Sequence, residues 1–298
     1  MTEVIIKSYG KVNLSLDVCG VREDGYHVIE SIMQKISLYD EVKVKWTSLP
    51  QDEIEINLSC NKAFLPTDER NLAYKGAKVM VDTFGDKVGG GIIDIYIEKH
   101  LPVAAGLAGG SGNGAALFIA LNRLWNLKLD TKALCELGAQ IGADVPFCLL
   151  IQNTKYTNAL CEGTGTDLTP LKNSILKKGI LLVKPSFGVS TKEVYKGIDQ
   201  CEITTRPDTE AVIAALRLRD NEKLYANMGN VLEEYTLKAY PDVQKIKEKI
   251  KRETNAEKVL MTGSGPTVFA LFGKLVDAQK ACKELRSEGY EAYWAKTY

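Results

Sequence analysis

The sequence predicts two domains of mixed structure, an α/β half followed by an α+β half. Three observations carry that reading. The chain has 298 residues, a length that suits two modest domains better than one. Its first half reads as strands followed by helices. Its last part reads as a helix, then strand, strand, helix, strand, the order of helices laid on one face of an antiparallel sheet.

Taken along the chain, EVIIKSY and KVNLSLDV have strand character, and REDGYH is a turn-rich link after them. DEVKVKW (40–46) and DEIEINLS (52–59) alternate well enough to be expected as a β pair. NLAYKGAKVMVDTFG (71–85) has helical spacing and ends in glycine, and GIIDIYIEKHLP (91–102) is a strand stopped by proline. A glycine-rich stretch then opens onto the apolar helix AALFIALNRLW, followed by the helix TKALCELGAQIG (131–142) and VPFCLLI, expected as a short buried strand. The domain boundary is expected at 155/156, giving domains 1–155 and 156–298. Beyond it come the strand GILLVKP, a helical stretch with breaks from Thr191 to Arg252, and EKVLMTG. A Gly-Ser-Gly turn, PTVFALF, the helix VDAQKACKELRSEG and the strand EAYWAKTY complete the chain.

Composition removes several function classes. Lys+Arg and Asp+Glu both number 38, so the basic excess of a general nucleic-acid binder is missing. A local anion site remains compatible with a neutral chain. The seven cysteines are odd in number with no C-x-x-C pair, which reads as free thiols in a reducing cytosol. His27 and His100 are the only histidines and lie far from any cysteine pair, which argues against zinc. No signal-peptide core opens the chain, and no apolar run reaches the roughly 18 residues a membrane span needs. A cytoplasmic protein without nucleic-acid or membrane partners is expected; the sequence leaves its oligomeric state open.

GLAGGSGNG (106–114) holds five glycines in nine positions at the mouth of a helix. Glycine permits positive φ, so backbone N–H groups can converge. The following helix adds unpaired N–H groups and the positive end of its dipole, together an anion site most often filled by phosphate. Ser111 and Asn113 are candidates for the helix cap or for side-chain ligands. The alternative is a tight turn that lets strand and helix pack closely. No lysine follows the glycines as in G-x-x-x-x-G-K-[ST], and G-x-G-x-x-G does not fit. GADVPF (142–147) sets Asp144 between a helix end and the next element, where capping is the bland role. Lys11 and Asn13 in KVNLSLDV share a strand face by alternation.

In order and rough spacing, KVNLSLDV, PVAAGLAGGSGNGAA and MTGSGPTVFALF resemble the three motifs of the GHMP small-molecule kinases, and the likeness runs nearly the whole chain. REDGYH, LYDEV, GADVPF and CEGTGTDLTPL narrow it to the branch that acts on 4-diphosphocytidyl-2-C-methyl-D-erythritol in non-mevalonate isoprenoid biosynthesis. The resemblance implies a two-domain GHMP kinase fold: an N-terminal ATP-binding domain like domain 2 of ribosomal protein S5, and a C-terminal ferredoxin-like domain. It implies an enzyme that uses ATP and Mg²⁺ to phosphorylate the 2-hydroxyl of that small molecule. Alternatives are a GHMP kinase for homoserine or a mevalonate-type alcohol, or a non-catalytic nucleotide-binding relative.

The resemblance also assigns residues. Asp144 matches the catalytic aspartate and Lys11 the lysine beside it. The ATP phosphates fall to the run Gly106, Leu107, Ala108, Gly109, Gly110, Ser111 and Gly112, with Pro102 before it. Ser111 is the side chain expected at a phosphate or its Mg²⁺. Asn71, Leu72 and Lys99 match positions around the adenine, although Asn71 is also a sensible helix cap and Lys99 a solvated strand-end lysine. On the substrate side stand Asn13, Tyr26, His27, Asp144, Pro185 and Phe187, with the Tyr26 and Phe187 rings enclosing the cytosine. Gly263, Ser264 and Gly265 are expected to approach the phosphates, and His100 has no role. The sequence departs from the family pattern at Gly10, Gly112 and Gly114, and at 149–163, where Gln152, Asn153 and Lys155 replace a shorter Gly-Gly-Thr turn and are read as a segment for substrate contacts.

Overall fold

In the computed structural model, which describes residues 2–50 and 52–298, a single strand, β1 (Glu3–Val21), covers both N-terminal segments that read as separate strands. The turn 22–26 follows it, and β2 (His27–Ser48) is equally long. The chain divides into two compact units. The first comprises the residues up to 10, 39–101 and 108–155; the second comprises 11–38, 102–107 and 156–298. Strands β1 and β2 each give one part to either unit, so the division is not a single cut.

In the first unit, β3 (Ile54–Cys60), α1 (Leu72–Val88) and β4 (Gly91–Glu98) form a βαβ crossover. Strand β4 pairs antiparallel with β2, Glu41 opposite Glu98, and parallel with β3, Ile54 opposite Gly91. The segments 40–46 and 52–59 are therefore not a β pair; each borders β4. A parallel pair needs a long crossover, which α1 supplies, and local alternation carries no information about which strand lies beside which. Helix α1 runs past Gly85 and ends at Gly89, whose φ of 73° suits a residue without a side chain.

Three helices complete this unit: α2 (Gly109–Leu124), α3 (Thr131–Ala139) and α4 (Val145–Asn153). VPFCLLI is thus a buried helix and not a strand. A short apolar run suits either element; Pro146 in the first turn favours a helix start. Ile93, Ile95 and Ile97 point from β4 into a core shared with Ala73, Ala77 and Met80 of α1 and Ala115–Leu121 of α2.

The longest segment of the second unit, 156–298, begins with the hairpin β5 (Asn158–Glu162) and β6 (Asp167–Pro170), which the sequence did not signal. Strand β5 pairs antiparallel with the first part of β2, Ser31 opposite Cys161. Then come β7 (Gly179–Lys184), α5 (Thr191–Ile198), α6 (Thr209–Leu218), α7 (Asn221–Asn227), α8 (Glu233–Ala239) and α9 (Pro241–Glu253). The unit ends with β8 (Lys258–Met261), β9 (Val268–Phe272), α10 (Leu275–Ser287) and β10 (Glu291–Lys296). Its sheet has the order β10-β7-β9-β8, every pair antiparallel. That is strand order 4-1-3-2 of a β-α-β-β-α-β unit, a ferredoxin-like sheet. Its core joins Leu181, Val183, Met261 and Phe272 to Val243, Ile246 and Ile250 of α9 and Cys282 and Leu285 of α10.

Candidate functional site

The first unit holds the glycine-rich helix start. Ala108 is the N-cap of α2, in the left-handed region (φ 56°), and makes no side-chain cap bond. Ala104 and Gly106 before it also have positive φ, 51° and 69°. Gly109, Gly110, Ser111, Gly112 and Gly114 are already helical, so these glycines do not form the positive-φ loop their number suggested. Most are glycine because something lies against them. A Cβ on Gly112 would sit 2.5 Å from Ser8 Oγ, one on Gly114 3.1 Å from Ile141 Cδ1, and one on Gly109 3.1 Å from Lys99 Nζ. Gly110 is the exception: it is exposed, and its Cβ would meet only Leu72 Cδ1, at 3.8 Å. The first turn of α2 carries no acidic residue, so its dipole and N–H groups favour an anion.

Behind this turn lies a buried polar network. Lys99 Nζ donates to Asp40 Oδ2 at 2.5 Å and to Asn113 Oδ1 at 3.1 Å. Asp40 is fully buried and also accepts from the backbone N–H groups of His100 and Leu101, each at 2.8 Å, and from Asn113 Nδ2 at 3.0 Å. Asn113 Nδ2 reaches Ser8 Oγ as well. Asn113 is therefore neither a cap nor a ligand, and Lys99 is not a solvated strand-end lysine. Asn71 is the N-cap of α1: its Oδ1 accepts from Ala73 N–H (3.0 Å) and its Nδ2 donates to Pro66 O (2.9 Å). His100 is half exposed beside Glu98.

Asp144 takes the N-cap position of α4 but makes no side-chain cap bond. Its carboxylate stands at the positive end of that helix. Its turn packs beside the start of α2. Leu72 Cδ1 lies 3.8 Å from the Cβ positions of both Gly110 and Gly142, and Ile141 presses on Gly114. Gln152 and Asn153 end α4. Gln152 Nε2 donates to Gly112 O (3.2 Å) and Asn153 Nδ2 to Thr131 Oγ1 (2.9 Å), so these two amides brace helices, not a substrate loop.

The second unit holds Lys11. Its ammonium is buried and donates to Asn13 Oδ1 at 2.9 Å, as the shared strand face required. Asn13 in turn donates through Nδ2 to Ser31 Oγ and accepts from Thr262 Oγ1. The turn 262–265 lies against this pair: a Cβ on Gly263 would be 3.7 Å from both Lys11 Nζ and Asn13 Oδ1. Gly106 packs on the same turn, its Cβ position 2.8 Å from Thr262 O and 3.0 Å from Gly265 O. Leu107 O accepts from Lys11 N–H. Pro102 and Leu107 are buried in the segment 102–107.

Aromatic side chains gather around α5 in this unit. Tyr26 is exposed on its turn. His27 lies 4.9 Å from the Tyr195 ring and bonds Asp199. Phe187, two residues after Pro185, stacks on Tyr240 at 5.9 Å with planes 29° apart. Glu193 accepts from Tyr240 Oη (2.7 Å) and Tyr235 Oη (3.3 Å). That bond pushes the Tyr240 phenol up to about 12.

Comparison with known proteins gives this arrangement a family. Residues 71–151 match the GHMP kinases N terminal domain, and residues 212–291 the GHMP kinases C terminal domain. The chain belongs to the GHMP kinases. It is 44% identical to a 4-diphosphocytidyl-2-C-methyl-D-erythritol kinase of Clostridium novyi (strain NT), covering 99% of this chain and 100% of the relative. It is likewise 44% identical to the protein of that name from Alkaliphilus oremlandii (strain OhILAs), over 100% and 98%. A crystal structure of 4-(cytidine 5'-diphospho)-2C-methyl-D-erythritol kinase superposes with a TM-score of 0.79 at 28% identity, covering 99% of each chain. The chain therefore has the two-domain GHMP kinase fold and is a small-molecule kinase that uses ATP.

Two residues that organise these polar networks, one in each unit, escaped the sequence reading. Asp40 was one, although a carboxylate in phase with Val42 and Val44 of the same strand alternation signals a buried partner. Asn230 was another: its Nδ2 bonds Met261 O and Gly263 O and splints the 262–265 turn. Its Oδ1 accepts locally from Leu232 N–H, but the two carbonyls that Nδ2 reaches lie more than thirty residues away, so the local sequence does not show the splint. Among the described residues no group of three or more His, Cys, Asp or Glu is placed to hold a metal, and no helix is long and apolar enough to cross a membrane.

Proposed function

We propose that this chain transfers the γ-phosphoryl group of ATP to the 2-hydroxyl of 4-diphosphocytidyl-2-C-methyl-D-erythritol. One observation carries the reading: Asp144 stands at the start of α4, on a turn packed beside the glycine-faced start of α2. Full-length likeness to kinases named for that substrate supports it.

Phosphoryl transfer asks the protein for positioning and charge neutralisation more than for covalent chemistry. The N–H groups of Gly109, Gly110 and Ser111 hold the ATP phosphates, with Gly106, Leu107, Ala108 and Gly112 shaping the approach. Asn71, Leu72, Lys99 and Pro102 form the nucleotide side, where Lys99 acts by fixing the strand end and the helix start. Asp144 accepts the proton of the 2-hydroxyl as that oxygen bonds phosphorus. ADP leaves, and the product carries a 2-phosphate. Lys11, oriented by Asn13, is the catalytic cation of this reading, where phosphoryl transfer needs positive charge. Magnesium is bound largely through substrate phosphates, with one or two protein groups and not a dedicated protein cage; here it would neutralise phosphate charge, and Ser111 is the side chain that would meet it. Tyr26 and Phe187 stack on the cytosine, Pro185 shapes that wall, and His27 reads the base edge.

The division into domains 1–155 and 156–298, and a cytoplasmic setting, belong to the same proposal; seven cysteines with no disulfide among them support a reducing compartment. The test incubates the purified chain with ATP, Mg²⁺ and diphosphocytidyl-methylerythritol and identifies the product by mass. Asp144→Asn is expected to abolish turnover while retaining ATP binding. Turnover on homoserine or mevalonate instead, or full turnover by Asp144→Asn, refutes the assignment.

A further inference from the structure

His27 has one nitrogen committed and one open. Its Nε2 lies 2.8 Å from Asp199 Oδ1, and its side chain is only 10% exposed. Its ring also rests against Tyr195, with planes 43° apart. Two contacts from α5 and its C-terminal neighbour Asp199 thus fix both the position and the rotation of the imidazole. An ionised carboxylate only accepts hydrogen bonds, so the proton sits on Nε2. In the neutral ring Nδ1 is then a bare acceptor. Nδ1 has no hydrogen-bond partner among the described residues, and it is not among their buried unpartnered atoms, so it opens to solvent.

We infer that Asp199 is the positioning residue that sets base selectivity, by holding His27 in the tautomer whose Nδ1 accepts from the exocyclic amine of cytosine. The inference rests on the reading that Tyr26, His27 and Phe187 receive the base. A uracil would turn its carbonyl oxygen toward the same acceptor. Two lone pairs would then face each other, and the neutral ring could donate from Nδ1 only by giving up its bond to Asp199. Such mismatches are costly because both groups lose water and gain no partner. Asparagine at 199 offers either a carbonyl or an amide N–H to Nε2, so both tautomers become accessible and the discrimination disappears. Asp199 is about half exposed, so this exchange does not endanger the fold.

The experiment measures binding of CDP and UDP by calorimetry at pH 8, where an imidazole is ordinarily neutral. It compares the unaltered chain, Asp199→Asn and Asp199→Glu. Nitrogen-15 NMR of the two imidazoles reads the tautomer directly, and His100→Gln assigns the signals. The expected result is a CDP preference of about tenfold or more with an Nε2–H ring, lost in Asp199→Asn together with the single tautomer, and largely restored by Asp199→Glu. A preference that persists in Asp199→Asn, or an Nδ1–H ring in the unaltered chain, overturns the inference alone. An unaltered chain that binds CDP no better than UDP overturns the base-site reading and the inference with it.

Discussion

Gly110 and Gly112 stand two residues apart in the first turn of one helix, and alanine at each should act in opposite directions. At Gly110 a methyl group meets nothing nearer than Leu72 Cδ1 at 3.8 Å, an ordinary contact. Helical glycine costs roughly 0.5–1 kcal/mol relative to alanine, so Gly110→Ala should stabilise the chain by about that amount, a rise in Tm of about 2 °C. At Gly112 the methyl group falls 2.5 Å from Ser8 Oγ, with Tyr9 O at 3.4 Å behind it. Ser8 is fully buried and accepts from Asn113, so it cannot swing away without breaking the network around Asp40. Overpacking of this kind costs roughly 1–3 kcal/mol. Function should divide the other way. If phosphates approach the exposed backbone at Gly110, the stabilised variant should lose ATP affinity by about tenfold, equivalent to about 1.4 kcal/mol. Thermal unfolding with ATP titration by calorimetry reads both effects. Gly110→Ala with unchanged ATP affinity would refute the phosphate reading of this turn, and Gly112→Ala as stable as the parent would refute the packing argument.

Three further outcomes are expected. Lys99→Met should leave the Asp40 carboxylate buried without its cation and destabilise by about 3–5 kcal/mol, measured by urea unfolding. Phe187→Ala should weaken CDP binding by about tenfold or more, through loss of about 1–3 kcal/mol of stacking, while ATP affinity stays the same; calorimetry on both nucleotides checks it. Tyr240 titrates near 12 when folded and near 10 when unfolded. The native state therefore holds this proton more tightly, and the associated stability is full below pH 10 and declines as pH rises through 12. Unfolding scans between pH 9 and 12 should show a steeper alkaline loss in the parent than in Tyr240→Phe.

The sequence alone determined the motifs, the two-domain class and most elements, because each is written in neighbouring residues: alternation for β4, 3.6-residue spacing for α1, proline and glycine at their ends. It also determined that Lys11 and Asn13 share a face, which strand geometry dictates. Only the tertiary structure decided which strands flank β4, since pairing partners are chosen by burial across the chain. The same holds for VPFCLLI, whose unbroken apolar run fits a strand or a buried helix until its neighbours are known. It also decided what the glycines are for. From sequence, five of them read as one flexible anion loop; in the fold, Gly106 supplies a left-handed turn, Gly109, Gly112 and Gly114 make room for Lys99, Ser8 and Ile141, and Gly110 alone lies open. A missing side chain looks the same in a sequence whether it permits a dihedral angle, a close neighbour or a ligand, and only the atoms opposite it tell these apart.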